Sequence, residues 1–240
     1  MDWQTHASIS QRTANIDLQP PDVGPYGEGD EEMVQHRKIS RGRYVFHAGD
    51  RFDGVYAIRT GSFLTEVGTE SGQEQVTCFY FAGEVFGFDG MQDNLHRCSV
   101  RALEDSEIYM IPSSRVRDPM SQSPGLQRQL LRYMSEEIIR SHRLMVMLGS
   151  MRSEARLATF LLDLSRRMQA RGYSPNEFVL RMSRGELASH LGLTVETVGR
   201  NFNRLQEWGL VDVVRKHVRL LDMERLSALV ETGSGSASAT

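Results

Sequence analysis

The sequence predicts an α+β chain in which a small all-β domain is followed by a long helix and then by a helical C-terminal domain. Three features indicate this order: short apolar runs separated by glycine, a later change to helical periodicity, and a pair of capped helices followed by a hairpin pattern. The chain has 240 residues, of which 40% are hydrophobic and 25% charged, as in ordinary globular proteins. No apolar stretch approaches the roughly 20 residues of a membrane span.

The N-terminal segment has the composition of a tail. Residues 1–32 contain seven acidic residues, one basic residue and no apolar periodicity, which predicts a disordered acidic segment. The N-terminus carries no apolar leader of the kind that directs secretion. With only two cysteines, Cys78 and Cys98, a reducing cytoplasm is the expected location. Both cysteines are expected to be small buried residues on strands.

Residues 33–124 have the pattern of a β domain. Seven short apolar runs follow one another at a spacing of roughly 8 to 12 residues, with glycine in most of the gaps. These runs are 43–46, 55–58, 63–67, 76–81, 85–87, 99–102 and 108–111. The pattern predicts a small antiparallel barrel or sandwich.

Residues 125–151 have the pattern of one long helix with a narrow apolar stripe. The stripe advances in alternating steps of three and four and contains no charge; its members are Leu131, Met134, Ile138, Ser141, Met145 and Leu148. A helix of this length is too long to be covered by a small barrel. We therefore expect it to be a dimerisation helix that pairs with its copy in a second chain, although an intramolecular core helix has the same pattern.

Residues 152–230 read as a winged helix-turn-helix domain, and residues 231–240 as a flexible tail. A first helix from Ser153 to Gln169 shows an apolar face. Ser183 and Glu186 then form a capping box that starts a helix ending near Gly192, and Thr194 caps another that ends before Gly209. Two alternating segments around Arg215, Lys216 and His217 predict a β-hairpin with a basic tip.

The details of this helix pair favour DNA binding. Ala188, Gly192 and Val198 supply a small residue, a turn glycine and a buried β-branched residue at the spacing of a helix-turn-helix. The charge balance agrees, since residues 1–150 carry 15 Lys/Arg against 21 Asp/Glu whereas residues 151–230 carry 13 against 9. The alternative is a solvated Glu196–Arg200 ion pair on an ordinary helix. The expected DNA-binding residues are Ser183, Thr194, Val195, Glu196, Thr197, Gly199, Arg200, Arg215 and Lys216.

Residues 184–200, RGELASHLGLTVETVGR, resemble the helix-turn-helix of the Crp/Fnr transcription regulators, and segments 49–50, 55–61 and 81–89 resemble their β-roll. The resemblance implies an N-terminal double-stranded β-helix of the cyclic-nucleotide-binding type, a long dimerisation helix and a C-terminal winged helix-turn-helix. It also implies a homodimer on a TTGA-type inverted repeat, and a contact with RNA polymerase. The candidate polymerase contact is the turn of Thr69, Glu70, Ser71, Gly72 and Gln73.

Within the family, the sequence is most similar to the Fnr and FixK-like branches, but it lacks the residues for their cofactors or for cyclic AMP. Phe88 stands where the cyclic-AMP branch has a ribose-binding Glu, and His96-Arg97 stands where that branch has its phosphate-binding Arg-Ser pair. An iron–sulfur cubane needs four thiolates and the chain has two. We therefore expect no cofactor and no metal, and we expect Arg97 and Arg101 to be surface charges.

Two other functions stay open at this point. One is an effector-gated regulator that binds a small molecule or haem in the β-roll. The other is a cyclic-nucleotide-binding module whose C-terminal domain binds protein. An enzyme is not expected, because the sequence contains no P-loop, no Gly-x-Ser-x-Gly and no His-Glu-x-x-His motif.

Overall fold

The computed structural model describes residues 35–68, 72, 74–117 and 124–233. The predicted acidic tail, residues 1–32, lies outside the described residues, as do residues 234–240. Among the residues described, no helix combines the length and the apolar character that crossing a membrane would require.

The N-terminal domain is a β-roll of two four-stranded antiparallel sheets. Its strands are β1 (Gln35–Ile39), β2 (Tyr44–Phe46), β3 (Gly54–Thr60), β4 (Ser62–Gly68), β5 (Glu74–Phe81), β6 (Val85–Phe86), β7 (Ser99–Ala102) and β8 (Ser106–Pro112). One sheet has the order β1-β8-β3-β6 and the other the order β2-β7-β4-β5. A short 3-10 helix, Phe88–Met91, lies in the connection between β6 and β7.

Seven of these strands coincide with the apolar runs of the sequence, and β1 does not. The side chains of β1, Gln-His-Arg-Lys-Ile, are mostly exposed, because the strand lies at the edge of its sheet and pairs only with β8. A polar edge strand leaves no apolar pattern and protects the sheet against pairing with other chains. The pattern therefore missed it.

Two apolar clusters form the core of the β-roll. Between the sheets lies a cluster dominated by aromatic rings; its buried members include Phe46, Tyr56, Phe63, Tyr80 and Phe86. A second cluster joins the sheet of β3 to the first helices through Phe52, Val55, Val116 and Leu130.

Three helices lead from the β-roll to the C-terminal domain. They are α1 (Ser113–Arg117), α2 (Pro124–Ser150) and α3 (Ser153–Gln169). The 27 residues of α2 agree with the long helix expected from the heptad pattern. In α3 the apolar residues Leu157, Phe160, Leu161 and Leu164 are buried, as their periodicity predicted.

The C-terminal domain is a winged helix-turn-helix. It contains β9 (Glu177–Val179), α4 (Arg184–Leu191), α5 (Val195–Glu207), β10 (Val211–Val214), β11 (His217–Leu220) and α6 (Met223–Gly233), and its sheet has the order β10-β11-β9. Its core is continuous with residues of the β-roll, among them Val76, Phe79 and Phe81 of β5.

Three expectations about local structure need correction. We expected a flexible tail from residue 231, but α6 continues to Gly233, which is buried against Ala155. His217 was placed at the hairpin tip, but it lies in β11 and pairs with Val214. Cys98 precedes β7 in a bend and is only partly buried, whereas Cys78 is buried on β5 as expected.

Candidate nucleic-acid interface

Both helices of the helix-turn-helix begin at the predicted caps. Ser183 Oγ accepts a hydrogen bond of 3.1 Å from the Glu186 backbone N–H, and Glu186 Oε2 accepts one of 2.6 Å from the Ser183 N–H. Thr194 Oγ1 likewise accepts from the Thr197 N–H at 3.2 Å. These bonds satisfy backbone donors that a helix N-terminus leaves free, so the start of each helix is determined locally.

The turn between the two helices has the geometry that its residues predicted. Gly192 adopts φ +61°, a left-handed conformation that favours glycine. Ala188 and Val198 are buried where α4 and α5 approach each other. This packing holds α5 against the domain and leaves its opposite face in solvent.

The exposed N-terminal face of α5 carries the predicted base-reading residues. Val195 is 49% exposed, and Glu196 and Arg200 are exposed one turn apart. Gly199 is partly exposed, and a Cβ added there would meet no atom within 4 Å. The face therefore offers an acceptor, a guanidinium and a methyl surface at the end of a helix that can enter a major groove.

Hydrogen bonds within α5 and its N-cap order this face. Arg200 Nη2 donates to Thr197 Oγ1 at 3.1 Å, and that oxygen lies 3.0 Å from Thr194 Oγ1. The pKa of Glu196 is lowered because its own backbone N–H and the Thr194 hydroxyl donate to its carboxylate, with a further contribution from Arg200. Glu196 is thus ionised near neutral pH and can accept a hydrogen bond.

The hairpin tip is basic and is tied to the helix pair. Arg215 is exposed with φ +59°, and its carbonyl oxygen accepts a hydrogen bond of 3.3 Å from Arg184 Nη2. Lys216 Nζ donates to the Arg181 carbonyl at 3.1 Å, so its ammonium is partly engaged within the protein. The structure brings the two cations together at one turn, as the sequence predicted.

Sequence reasoning missed Arg184 as a member of this interface. Its guanidinium lies 3.8 Å from the ring centroid of Phe202, a buried residue of α5. The same guanidinium also donates to the Arg215 carbonyl. It therefore links α4 to both α5 and the hairpin. A basic residue directly after an N-cap is an unusual place for a cation, since the helix dipole disfavours it, and this could have marked Arg184.

The helix pair is also held against the β-roll. Ser189 Oγ accepts from the Val76 N–H at 2.9 Å, and Arg101 Nη2 donates to Glu186 Oε1 at 3.1 Å. The partly buried His190 ring packs against Phe79, and desolvation lowers its pKa to about 4. Arg101 therefore bridges the two domains and is not the surface charge that we expected, whereas Arg97 is exposed and pairs with Asp93.

Helix α2 has one face on the protein and one in solvent. Leu130 and Met147 are buried. In the apolar stripe predicted to form the dimer seam, Leu131, Ile138 and Met145 are 50%, 56% and 60% exposed. Ser141 is exposed, and Met134 and Leu148 are partly buried. Leu148 packs on the core of the C-terminal domain, so it belongs only partly to the seam.

The interior of the β-roll is packed with aromatic side chains. Phe46, Tyr56, Phe63 and Phe86 are each at most 5% exposed and pack ring against ring between the sheets. Phe88, at the position of the ribose-binding Glu, packs on the cluster of Phe52, and its side chain has no oxygen or nitrogen that could accept a hydrogen bond.

The segment that stands where the cyclic-AMP branch binds its phosphate is held by a carboxylate of the protein itself. Asp89 Oδ2 accepts hydrogen bonds from the backbone N–H groups of Arg97 at 2.7 Å and Cys98 at 3.2 Å. Asp89 Oδ1 lies 3.1 Å from His96 Nδ1, and the His96 ring stacks on Phe46 with 3.5 Å between centroids. Although burial opposes it, these bonds lower the pKa of Asp89, so an internal anion stabilises this loop.

The pKa values of both cysteine thiols are raised. Burial raises the pKa of the Cys78 thiol. Burial and the Asp89 carboxylate, which accepts from Cys98 Sγ at 3.2 Å, raise the pKa of Cys98 as well. Thiolates are therefore disfavoured at both positions. In the described part of the chain, no cluster of three or more His, Cys, Asp or Glu side chains could hold a metal ion.

Most of the candidate polymerase contact lies outside the residues that the structure describes. Thr69, Glu70, Ser71 and Gln73 lie outside the described residues, and Gly72 adopts φ +76°.

The fold and this interface define a DNA-binding transcription regulator with an N-terminal β-roll, a class that is not enzymatic. Two family models match the chain: a cyclic nucleotide-binding domain over residues 36–123 and a Crp-like helix-turn-helix domain over residues 155–229. The chain is 46% identical over 201 residues to the transcriptional regulatory protein btr of Bordetella pertussis, with 83% of each chain covered. The chain belongs to the Crp/Fnr family of transcription regulators.

Other relatives and solved structures agree. The chain is 42% identical over 200 residues to the transcriptional activator protein Anr of Pseudomonas protegens, covering 83% of this chain and 82% of the relative. The fold matches the structure of FixK2 from Bradyrhizobium japonicum with a TM-score of 0.74 and 24% identity, covering 86% of this chain and 99% of that chain. This likeness supports the β-roll, long helix and winged helix-turn-helix arrangement.

Proposed function

We propose that the protein acts in the cytoplasm as a homodimer that binds a TTGA-type inverted repeat without a cofactor and contacts RNA polymerase there. The observation that carries the proposal is the exposed, pre-ordered face of α5, with Glu196 and Arg200 one turn apart. The polymerase contact, assigned to the turn 69–73, rests on family membership.

The dimer is supported by the solvent face of α2. Leu131, Ile138 and Met145 repeat every seven residues on this face, and Ile139 and Val146 widen the stripe, all of them at least 46% exposed. An exposed apolar stripe of this kind would be costly in water and is typical of a coiled-coil partner surface. Two copies of α2 would bury it and place the two α5 helices on one side of the dimer.

The half-site follows from the chemistry of α5. Arg200 can donate two hydrogen bonds to guanine, and Glu196 can accept from the amino group of a cytosine in a neighbouring pair. Val195 stands where the cyclic-AMP branch has an arginine for a second guanine, so a thymine methyl suits that position better. Gly199 stands where the Fnr-like branch has a serine, so one thymine is read loosely. These assignments favour TTGA.

Binding without a cofactor is supported by the β-roll. Its interior is packed with aromatic side chains, and the Asp89 carboxylate takes the backbone donors that an anionic ligand would need. An effector would have to displace these groups. The protein should therefore bind DNA as purified, in air and in the presence of a chelator.

Selection from a random DNA library tests the proposal. We expect an inverted TTGA repeat whose half-site centres lie one helical turn apart, about 34 Å. Arg200→Ala should weaken binding to this site by about 1–3 kcal/mol and binding to random DNA much less. Arg225→Ala, which removes an exposed arginine from α6, is the matched control and should keep the preference. Enrichment of TGTGA half-sites, or of no palindrome, would contradict the assignment.

A further inference from the structure

Arg156 lies in the first turn of α3, and its guanidinium connects three separate backbone segments. Nε donates to the Met151 carbonyl at 3.0 Å, and Nη2 donates to the Leu148 carbonyl, in the last turn of α2, at 2.8 Å. On its other side, Nη1 donates to the carbonyls of Leu191 at 3.0 Å and Gly192 at 3.5 Å. One side chain thus joins the end of the long helix to the turn of the helix-turn-helix.

Two of the four carbonyls that Arg156 binds lie at helix C-termini, where a cation is favourable. Leu148 and Leu191 lie in the last turns of α2 and α4, where carbonyl oxygens have no partner within the helix and carry partial negative charge. A planar guanidinium presents N–H donors in several fixed directions at once. A lysine ammonium on a flexible stem cannot reproduce this arrangement of donors. The contact is therefore specific for arginine.

Direct packing supports the same connection. A Cβ added at Gly192 would lie 3.0 Å from Leu148 Cδ2 and 3.3 Å from Arg156 Nη1, so the end of α2 contacts the turn itself. Met147, beside Leu148, is buried in the core that contains Leu187 and Leu191 of α4. Only Met151 and Arg152 separate α2 from α3. These contacts leave little freedom between the long helix and the helix-turn-helix.

We infer that Arg156 is a positioning residue that sets the orientation of the recognition helix α5 relative to α2, and thereby the half-site spacing that the dimer selects. The inference rests on the proposed function, because α2 must lie at the two-fold axis for its orientation to determine a spacing. The Arg156 guanidinium donates to backbone carbonyls of the protein through Nε, Nη1 and Nη2, so it is assigned no base. Its loss should therefore relax the choice of spacing more than the choice of base.

The test uses inverted TTGA repeats whose spacers differ by single base pairs. Each added base pair moves one half-site by about 3.4 Å and rotates it by about one tenth of a turn. We expect wild-type protein to bind its preferred spacing at least about tenfold more tightly than the neighbouring spacings. For Arg156→Met, which keeps the apolar stem and loses all donors, this ratio should fall to about threefold or less. The preferred half-site sequence should stay unchanged.

Two further variants make the result specific. Arg166→Met removes an arginine from the same helix, where it is 59% exposed and pairs with Asp163, and should keep the wild-type ratio. Arg156→Lys keeps the charge but not the fork, so its ratio should lie between those of wild type and Arg156→Met. Thermal unfolding shows whether Arg156→Met is folded. If it is not, the spacing ratio of Arg156→Lys is compared with that of wild type instead.

The outcomes separate the inference from the function on which it rests. If the Arg156 variants bind every spacing more weakly but keep the wild-type ratio, Arg156 only stabilises the fold and the inference is wrong. If wild-type protein shows no preference among inverted repeats, the proposed function fails, and the inference fails with it. Loss of the ratio in the Arg156 variants, with the ratio kept in Arg166→Met, supports both.

Discussion

Substituting Glu84 with Gln is expected to destabilise the protein, because three arginines, one from α2, one from α3 and one from the turn after α3, converge on this carboxylate. Arg167 forms a two-pronged contact with it, with Nε 3.0 Å from Oε1 and Nη2 2.6 Å from Oε2. Arg140 and Arg171 each lie 3.8 Å away. Glu84 and Arg167 are 19% and 18% exposed, so solvent screens this pair little. The network joins the turn before β6 to α2 and α3.

The size of the effect follows from this burial. Removing one partner of a buried ion pair costs about 3–5 kcal/mol, since the remaining charge stays desolvated. Gln keeps one carbonyl acceptor for Arg167, so the low end, about 3 kcal/mol, is expected for Glu84→Gln. For a chain of this length, that corresponds to a fall in Tm of roughly 6–12 °C.

The effect should also depend on pH. Burial opposes ionisation of Glu84, but Arg167 and Arg140 overcome it and lower its pKa below the ordinary value of 4.5. A carboxyl with a lowered pKa stabilises the fold fully above its unfolded pKa, and this contribution is lost as the pH falls through the folded pKa. The stability difference between wild type and Glu84→Gln should therefore be constant near neutral pH and shrink below about pH 4.5.

Urea unfolding at several pH values measures both quantities. Glu136→Gln is the matched control, because Glu136 is 47% exposed and its partner Arg132, one turn away on the same helix, lies at 3.7 Å; the expected cost is about 0.5 kcal/mol or less. A loss below about 1 kcal/mol for Glu84→Gln, or a difference that does not shrink in acid, would refute this account of the network.

Three further substitutions test the interface and the dimer. Gly199→Ser should raise stability by roughly 0.5 kcal/mol and sharpen the choice of thymine in a DNA selection, because a helical glycine is replaced where a Cβ has free space; a drop in Tm would contradict this. Arg215→Ala and Arg215→Gly should both lower the salt slope of DNA binding by about one unit. The glycine variant should be the more stable of the two by about 1 kcal/mol, because residue 215 adopts φ +59°, a left-handed conformation that favours glycine. A changed base preference would show that the hairpin reads bases. Ser141→Asp should weaken the dimer in sedimentation by several kcal/mol through like charges across the seam, whereas Ser227→Asp on α6 should not; unchanged association would remove Ser141 from the seam.

Much of the interface could be predicted from residue type and spacing. The caps Ser183 and Thr194 and the turn glycine Gly192 act on backbone groups within four residues, so their effect does not depend on the rest of the fold. The exposed positions of α5 follow from helical periodicity once its first residue is known. Arg184 was missed because its partners, Phe202 and the Arg215 carbonyl, come together only when the hairpin folds back.

The β-roll shows the same division. Apolar runs and turn glycines indicated seven of its strands, whereas the polar edge strand β1 needed its partner β8 to be recognised. Arg101 carries no sequence signal that separates it from a surface charge, yet it bridges Glu186 of α4. A charged side chain can pair anywhere that a partner is available, so its role depends on which elements meet.

The order of domains, the ends of the helices and the exposed face of α5 are encoded locally, in capping, turn formation and hydrophobic periodicity, which operate over a few residues. The side-chain bonds between distant parts of the chain are not encoded locally. Arg156 bonds to a carbonyl 35 residues away, Arg167 to a carboxylate 83 residues away and Arg101 to one 85 residues away. Such partners are selected only when the chain closes on itself, because the desolvation of each charge must then be compensated by whatever group the packing brings within reach.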